Sequence, residues 1–205
     1  MSGAFIIVMI SDTWKIRSRI IVDSVSRELE NNDLIVQAQT SYNAFALLYR
    51  RHYDAVFKYC VHRLFDRHQA EDVTSQVFLK VVEKFHDFNG NERQFRNWLY
   101  KITTNIINNQ MRKSARQKTA LNIFRERSNI TNNNREDSSA KLAVLKKAML
   151  TLKPRYQTII TLRFFENLKL TEIAEVLGSS PGTVRSQLAR ALEKLRKKLS
   201  AGSFA

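Results

Sequence analysis

The sequence contains few of the residues that interrupt helices or cross-link a chain: 5 glycines, 2 prolines and 1 cysteine among 205 residues. Because tight turns depend on glycine and proline, their scarcity predicts a largely helical chain. The lone Cys60 excludes an internal disulfide. We expect it to pack as a small apolar side chain, in a protein of the reducing cytoplasm.

The patterns that usually carry catalysis or metal binding are also missing. The 4 histidines do not have metal-ligand spacing, and the sequence shows no P-loop, no serine-histidine-acid set and no carboxylate cluster. We therefore expect no enzyme activity, no metal and no cofactor. An apolar run at residues 4–10 is too short to cross a bilayer, so we expect no membrane insertion.

Positive charge dominates the chain, with 34 Lys and Arg against 19 Asp and Glu and a net charge of +15. Such a balance favours a polyanionic partner. DNA or RNA is preferred to an anionic membrane because no long apolar anchor accompanies the charge. The length suits two small domains, each with a core of its own.

Residues 168–199 have the pattern of a helix-turn-helix. Ala174 is small enough for two helices to approach, Gly178 permits a positive-φ turn, and Val184 fills the angle between the helices. Opposite its apolar side, the second helix carries hydrogen-bond donors that are able to reach bases and phosphates. These are Thr183, Ser186 and Arg190, with Arg185 on the flank. A solvated helical hairpin is the alternative interpretation.

A helix predicted over residues 69–85 has one apolar and one polar face. The polar face places a leucine among acidic and polar groups: Asp72, Ser75, Gln76, Leu79 and Glu83. In a strongly basic protein, this patch suits a protein partner better than DNA. The alternative is a solvated face with one stray leucine.

The next helix, predicted over residues 95–113, carries amides, a hydroxyl and cations opposite its apolar face. The members of this stripe are Asn97, Lys101, Thr104, Asn108 and Arg112, with Asn105 at its edge. Such groups are able to hydrogen-bond bases and to hold phosphates.

These elements predict an all-α protein of two small helical domains joined by a flexible linker. The predicted divisions are an extension of unknown role (1–30), a helical domain (31–113), the linker (114–139) and the helix-turn-helix domain (140–200). Core candidates just before the helix-turn-helix are Ile159, Ile160, Leu162, Phe164 and Phe165.

Three stretches in this order resemble the ECF-type sigma factors of bacterial RNA polymerase: AEDVTSQVFLKVVEKF, FRNWLYKITTNIINNQMRK and the segment from LKPRYQTII to EKLRKKL. The resemblance covers residues 31–199. It implies promoter recognition and DNA opening on behalf of a polymerase. The implied partners are core RNA polymerase, through its clamp coiled coil and flap, promoter DNA and an anti-sigma factor.

The resemblance also implies a role for each surface. The face with Asp72, Ser75, Gln76 and Leu79 would dock on the polymerase clamp coiled coil. The helix 95–113 and the loop 88–94, with Asn89 and Asn91, would bind the minus-ten element, and Asn105 would help to hold a flipped base. The residues implied for the minus-thirty-five element are Arg185, Ser186, Ala189 and Arg190, beside Thr183 near the helix start.

Two other functions fit parts of the sequence. A stand-alone helix-turn-helix regulator would bind duplex DNA without a polymerase. A recombinase or nuclease would need a nucleophile or a metal site, for which we find no candidate residues.

Overall fold

The computed structural model describes the backbone of residues 34–122 and 137–202 and the side chains of residues 34–114 and 143–200. Its α-helices are α1 (Leu34–Thr40), α2 (Tyr42–Leu64), α3 (Arg67–Lys84), α4 (Glu92–Asn122), α5 (Asp137–Leu150), α6 (Pro154–Phe164), α7 (Leu170–Leu177) and α8 (Pro181–Gly202). A short 3-10 helix, Phe85–Asp87, follows α3. These ranges contain no strand, which confirms the all-α prediction.

Side-chain caps divide the N-terminal helices. The Ser41 hydroxyl accepts a hydrogen bond from the Ala44 amide at 3.4 Å and starts α2, which separates this helix from α1. The Asp66 carboxylate accepts from the Gln69 amide at 3.0 Å and starts α3. Both caps satisfy amides that have no partner within their helix.

Aromatic side chains fill the space between α2, α3 and α4. The rings of Tyr49 and Phe78 lie 4.5 Å apart, those of Phe45 and Phe85 5.2 Å, and those of Phe85 and Phe95 5.6 Å. Such edge and tilted contacts are typical of packed aromatic clusters. The rings of Phe45 and Tyr49 on α2 therefore pack against the core.

The C-terminal module, α5 to α8, has a smaller cluster of its own around Met149, Leu152, Ile160 and Ala191. Ile159, Ile160 and Leu162 are buried as predicted, but Phe164 and Phe165 are 54% and 42% exposed. That part of the prediction was wrong because the buried residues of α6 end at Leu162 and the helix itself ends at Phe164. Both rings follow the last buried residue.

The two modules also share buried side chains. One continuous cluster joins Leu99 and Ile107 of α4 to Ile159, Leu162 and Ile173 of α6 and α7. The sequence predicted two separate cores, and this contact corrects that expectation. Because apolar surface of both modules is removed from water in the contact, their packing together is favourable.

The predicted boundaries of the linker also change. Helix α4 continues beyond residue 113 to Asn122, and α5 begins at Asp137. Both ends of the predicted linker are therefore helical. Its centre, residues 123–136, and the predicted extension, residues 1–30, lie outside the described residues. Within the described ranges, no helix is both long enough and apolar enough to cross a bilayer.

A buried histidine makes the stability of the N-terminal module depend on pH. Burial lowers the pKa of His52 to about 4. The Glu92 carboxylate, 3.7 Å from the imidazole, opposes this shift. The pKa of His52 is lower in the folded than in the unfolded state, so the buried neutral side chain adds to the unfolding free energy. This contribution is complete above pH ~6.5 and is lost as the pH falls toward ~4. We expect a loss of about 3 kcal/mol of unfolding free energy over that window.

Urea unfolding at several pH values measures this effect. A His52→Gln variant should show a flatter dependence than the wild type, because its side chain does not titrate. The matched control is His68→Gln, since His68 is exposed on α3. Equal pH dependence in wild type and His52→Gln would contradict the prediction.

Candidate nucleic-acid interface

The turn between α7 and α8 is built as the sequence pattern predicts. Gly178 has φ 59°, in the left-handed region that favours glycine. The Ser179 amide donates to the Ala174 carbonyl at 2.9 Å, which closes the end of α7. Val184 is fully buried and lies in the same cluster as Ile173 and Ala174. These contacts confirm the helix-turn-helix.

Both helices of this motif also have defined starts. Lys169 is a poor capping residue, but the Glu172 carboxylate accepts from the Lys169 amide at 2.8 Å and supplies part of a cap for α7. At α8, the Ser180 hydroxyl accepts from the Thr183 amide at 3.1 Å.

The outer side of α8 is open to solvent. The residues predicted to face DNA are all exposed: Thr183, Arg185, Ser186, Ala189 and Arg190. The Ser186 hydroxyl donates to the Thr183 carbonyl at 3.0 Å. Beside this face, the Arg155 side chain donates to the Gln187 amide oxygen at 2.6 Å and connects α6 to α8. The arrangement presents cations and hydroxyls on one rigid helix.

The polar stripe predicted on α4 is only partly exposed. Lys101, Asn105 and Arg112 are open to solvent, and Asn108 is half-buried. Asn97 and Thr104, however, are only 4% and 3% exposed. The prediction that all six form one open face was therefore wrong, because α4 is covered on two sides.

The buried members of the stripe have partners within the protein. The Thr104 hydroxyl is hydrogen-bonded to the Tyr59 hydroxyl at 2.8 Å, inside the N-terminal module. The Asn108 amide oxygen accepts from Arg63 at 3.3 Å, and the Asn97 amide donates to Glu175 of α7 at 2.7 Å. Thr104 thus stabilises the module, whereas Asn97 is covered by the other module.

The loop before α4 is held from both ends. The Asn91 amide oxygen accepts from the Gln94 backbone amide at 3.0 Å, and the Gln94 side chain accepts from the Asn91 amide at 2.9 Å. Asn91 therefore caps α4. Asn89 is exposed, and the Phe88 ring stacks on Trp98 with centroids 5.1 Å apart. The loop is anchored by packing, and its polar tip faces solvent.

On α3, the predicted protein-binding face is present at the surface. Asp72 and Gln76 are exposed, and Ser75 and Leu79 are partly exposed. The opposite side of α3 packs Val73 and Val77 into the core. The leucine is thus accessible within a polar surface, as the helical spacing predicts.

Sequence reasoning missed a polar contact between the modules. Arg96 of α4 pairs with Glu172, and Arg93 lies 3.5 Å from Glu175. The Tyr100 hydroxyl donates to the Glu166 carboxylate at 2.9 Å. Burial of the Tyr100 ring, and to a smaller extent the nearby Glu166 carboxylate, raises the pKa of Tyr100 well above its usual value. Opposite charge on two predicted helices was the available signal, but it did not show which pairs would meet.

Comparison with known proteins assigns each module to a family. Residues 48–117 match Sigma-70 region 2, and residues 142–195 match Sigma-70, region 4. RNA polymerase sigma factor SigV of Bacillus subtilis is 34% identical over 131 residues, which cover 64% of this chain and 76% of SigV. The chain belongs to the ECF group of the sigma-70 family.

A second relative, which is longer than this chain, is named as an ECF sigma factor. ECF RNA polymerase sigma factor BldN of Streptomyces coelicolor is 30% identical over 171 residues, or 82% of this chain. The chain spans 65% of the length of BldN. Family members are transcription initiation factors.

The fold of this sigma factor also resembles a solved one. Sigma factor RpoE of Bartonella quintana, solved in complex with the anti-sigma factor NepR, has a TM-score of 0.61 and 22% identity. The match covers 76% of this chain and 96% of that chain. At this identity the likeness concerns the fold alone.

The matches place the surfaces of this sigma factor in two regions. Region 2 includes most of α2, all of α3 and the part of α4 that carries Lys101 and Asn105. Region 4 includes α6, α7 and most of α8. Within the described residues, no group of three or more His, Cys, Asp or Glu side chains is placed to hold a metal ion.

Proposed function

We propose that this ECF sigma factor binds core RNA polymerase in the cytoplasm, recognises two promoter elements and helps to open promoter DNA. The observation that carries the proposal is the combination of region 2 and region 4 in one chain, with the outer side of α8 open. The chemistry of RNA synthesis then belongs to the polymerase, and this chain supplies recognition without an active site of its own.

The proposed minus-ten surface is the open part of α4 with the tip of the preceding loop. Its members are Asn89, Lys101, Asn105, Asn108 and Arg112. Flipping a base out of the stack costs a few kcal/mol, and contacts to the displaced strand offset that cost. Asn97 joins this surface when the C-terminal module moves away. Thr104 supports it from inside, and Asn91 caps the start of α4.

The proposed minus-thirty-five surface is the exposed side of α8. Arg185 and Arg190 reach base edges or phosphates, Thr183 and Ser186 add hydroxyls, and Ala189 permits close approach to the groove. A helix start in the major groove also offers backbone N–H groups to phosphate.

Two surfaces are proposed for the polymerase. The face of Asp72, Ser75, Gln76 and Leu79 docks on the clamp coiled coil, since it joins an accessible leucine to polar groups on one helix. Region 4 contacts the flap. We also propose an anti-sigma partner, because a solved factor of the same fold was captured with one.

Co-elution with core RNA polymerase tests the proposal. The purified full-length chain is mixed with core enzyme from its own host, freed of other sigma factors, at moderate salt. Moderate salt suppresses the nonspecific binding expected of a chain with net charge +15. Stable co-elution and promoter-dependent transcription support the proposal. Sequence-specific duplex binding by the chain alone, without polymerase association, would instead identify a stand-alone regulator.

Asn105→Ala should separate promoter opening from polymerase binding. Asn105 is exposed on α4, so its amide is available to the nucleic acid and does not support the fold. We expect roughly tenfold less open complex, in line with 1–3 kcal/mol for a specific base contact. Permanganate reactivity of unpaired thymines measures opening.

Asn43→Ala is the matched control, since Asn43 is exposed on α2 and distant in sequence from α4. It should open DNA like the wild type. Equal losses of polymerase affinity and of opening in Asn105→Ala would count against the assigned role.

A further inference from the structure

A group of donors on α4 meets a group of carboxylates on the C-terminal module. The donors, here called the anion site, are Arg93, Arg96 and Asn97. The carboxylates, here called the acidic edge, are Glu172 and Glu175. Within this contact Arg96 pairs with Glu172, while Glu175 accepts from Asn97 at 2.7 Å and lies 3.5 Å from Arg93.

The anion site is continuous with the proposed minus-ten surface. Asn97, Lys101 and Asn105 follow each other at intervals of four residues, so they lie along one side of α4. Lys101 and Asn105 are open to solvent, while Asn97 is covered. This side of α4 is therefore open to solvent at Lys101 and Asn105 and covered by the acidic edge at Asn97.

The chemistry of the covered part of α4 fits phosphate as well as carboxylate. Guanidinium groups bind both anions through paired N–H donors, and an amide nitrogen donates to either. The Glu172 side chain is buried in the contact, and Glu175 is hydrogen-bonded to Asn97. A phosphodiester group cannot reach the buried Asn97 while these carboxylates are in place, and at Arg96 it must compete with Glu172.

We infer that the acidic edge occupies, within the same chain, a site on α4 that binds the phosphate backbone of single-stranded DNA. The free protein is then closed, and a single strand competes with Glu172 and Glu175 for Arg93, Arg96 and Asn97. The inference rests on the proposed function and assigns two further DNA-binding arginines, Arg93 and Arg96, together with their competitor.

The strength of the contact suits reversible closure. The side chains of Arg93, Arg96 and Glu175 are 53%, 40% and 45% exposed, so water and salt weaken their ion pairs. Apolar packing between the modules also favours closure, so the contacts that a bound strand makes must offset both contributions. A polyanion that supplies several phosphates is therefore able to displace the two carboxylates.

The test measures the distance between the modules in the full chain. Fluorescent donor and acceptor dyes are attached to cysteines introduced by Asp54→Cys in α2 and Arg196→Cys in α8, both exposed positions. The native Cys60 is buried, and burial raises its pKa to about 11, so it reacts poorly with thiol reagents at neutral pH. The probes are a 20-nucleotide oligothymidylate and a duplex of the same length.

The informative variant is Glu172→Gln/Glu175→Gln. Glutamine at position 172 still accepts from the Lys169 amide, so the start of α7 is preserved. The control, Glu71→Gln/Glu193→Gln, removes the same charge from two exposed carboxylates that pair within α3 and α8. Any general effect of net charge on DNA binding therefore appears equally in both.

We expect high energy transfer in the wild type and the control, falling when oligothymidylate binds. The Glu172→Gln/Glu175→Gln variant should show lower transfer without DNA and bind oligothymidylate about tenfold tighter than the control. Saturation of the wild type with oligothymidylate at unchanged transfer would overturn the inference, as would identical behaviour of the two variants. Opening by the duplex and not by the single strand would also overturn it.

This experiment contains no polymerase, so it separates the inference from the proposed function. A chain that closes and is opened by single strands, but does not bind core enzyme, would refute the proposed function alone. A chain that binds core enzyme, but shows equal transfer in both variants, would refute the inference alone.

Discussion

Val184→Asp is expected to unfold the helix-turn-helix and to abolish recognition of duplex promoter DNA. Val184 is fully buried between α7 and α8. The substitution removes an apolar side chain worth about 1.5–3 kcal/mol and buries a carboxylate with no partner. The combined loss is about 4 kcal/mol, which is a large part of the stability of a small module.

Urea unfolding followed by circular dichroism measures this loss, and promoter binding in the presence of polymerase measures its consequence. Thr183→Asp is the matched control for folding, since the neighbouring Thr183 is exposed and an acidic residue near a helix start is tolerated. An unfolding midpoint for Val184→Asp equal to that of Thr183→Asp would contradict the buried role of the valine.

Much of the fold is predictable because local patterns specify it. Ala174, Gly178 and Val184 each satisfy a local steric requirement, so their spacing is sufficient to predict the turn and the recognition helix. The two faces of α3 are equally regular, and the structure places Val73 and Val77 inward and Asp72 outward. In both cases one helix and its immediate neighbour determine the outcome.

The contact between the modules could not be predicted in the same way. Arg63 of α2 is 1% exposed, and its guanidinium donates to Gln157 of α6 at 2.6 Å. Arginine side chains are normally exposed, and the burial of Arg63 depends on a partner 94 positions away in the sequence. Sequence periodicity contains no information about pairs at that separation, so the cover over Asn97 was also missed.

The same limit explains the error at Thr104. Its spacing from Lys101 and Asn108 is helical, and a hydroxyl suits a nucleic-acid surface. In the structure, however, the buried Tyr59 hydroxyl needs a partner, and Thr104 provides it. A polar residue on a helix therefore faces either solvent or a buried polar group, and its own identity does not distinguish the two.

Asp72→Ala/Leu79→Ala is expected to weaken binding to core RNA polymerase by roughly thirtyfold to a hundredfold. Leu79 provides the apolar anchor of the α3 face, and Asp72 adds a charge beside it. Truncation of a central anchor in an interface typically costs 2 kcal/mol or more, which corresponds to about thirtyfold in the dissociation constant. Titration of labelled protein with core enzyme measures the change.

The matched control is Val36→Ala, because Val36 is an exposed apolar side chain on α1, outside both matched regions. It should leave the affinity for core enzyme nearly unchanged, and circular dichroism should show that both variants keep their helices. Wild-type affinity for core enzyme in the α3 double variant would show that the docking surface is not on α3. The leucine among the polar groups of α3 would then be a solvated side chain without a partner, and the polymerase contact would belong to region 4.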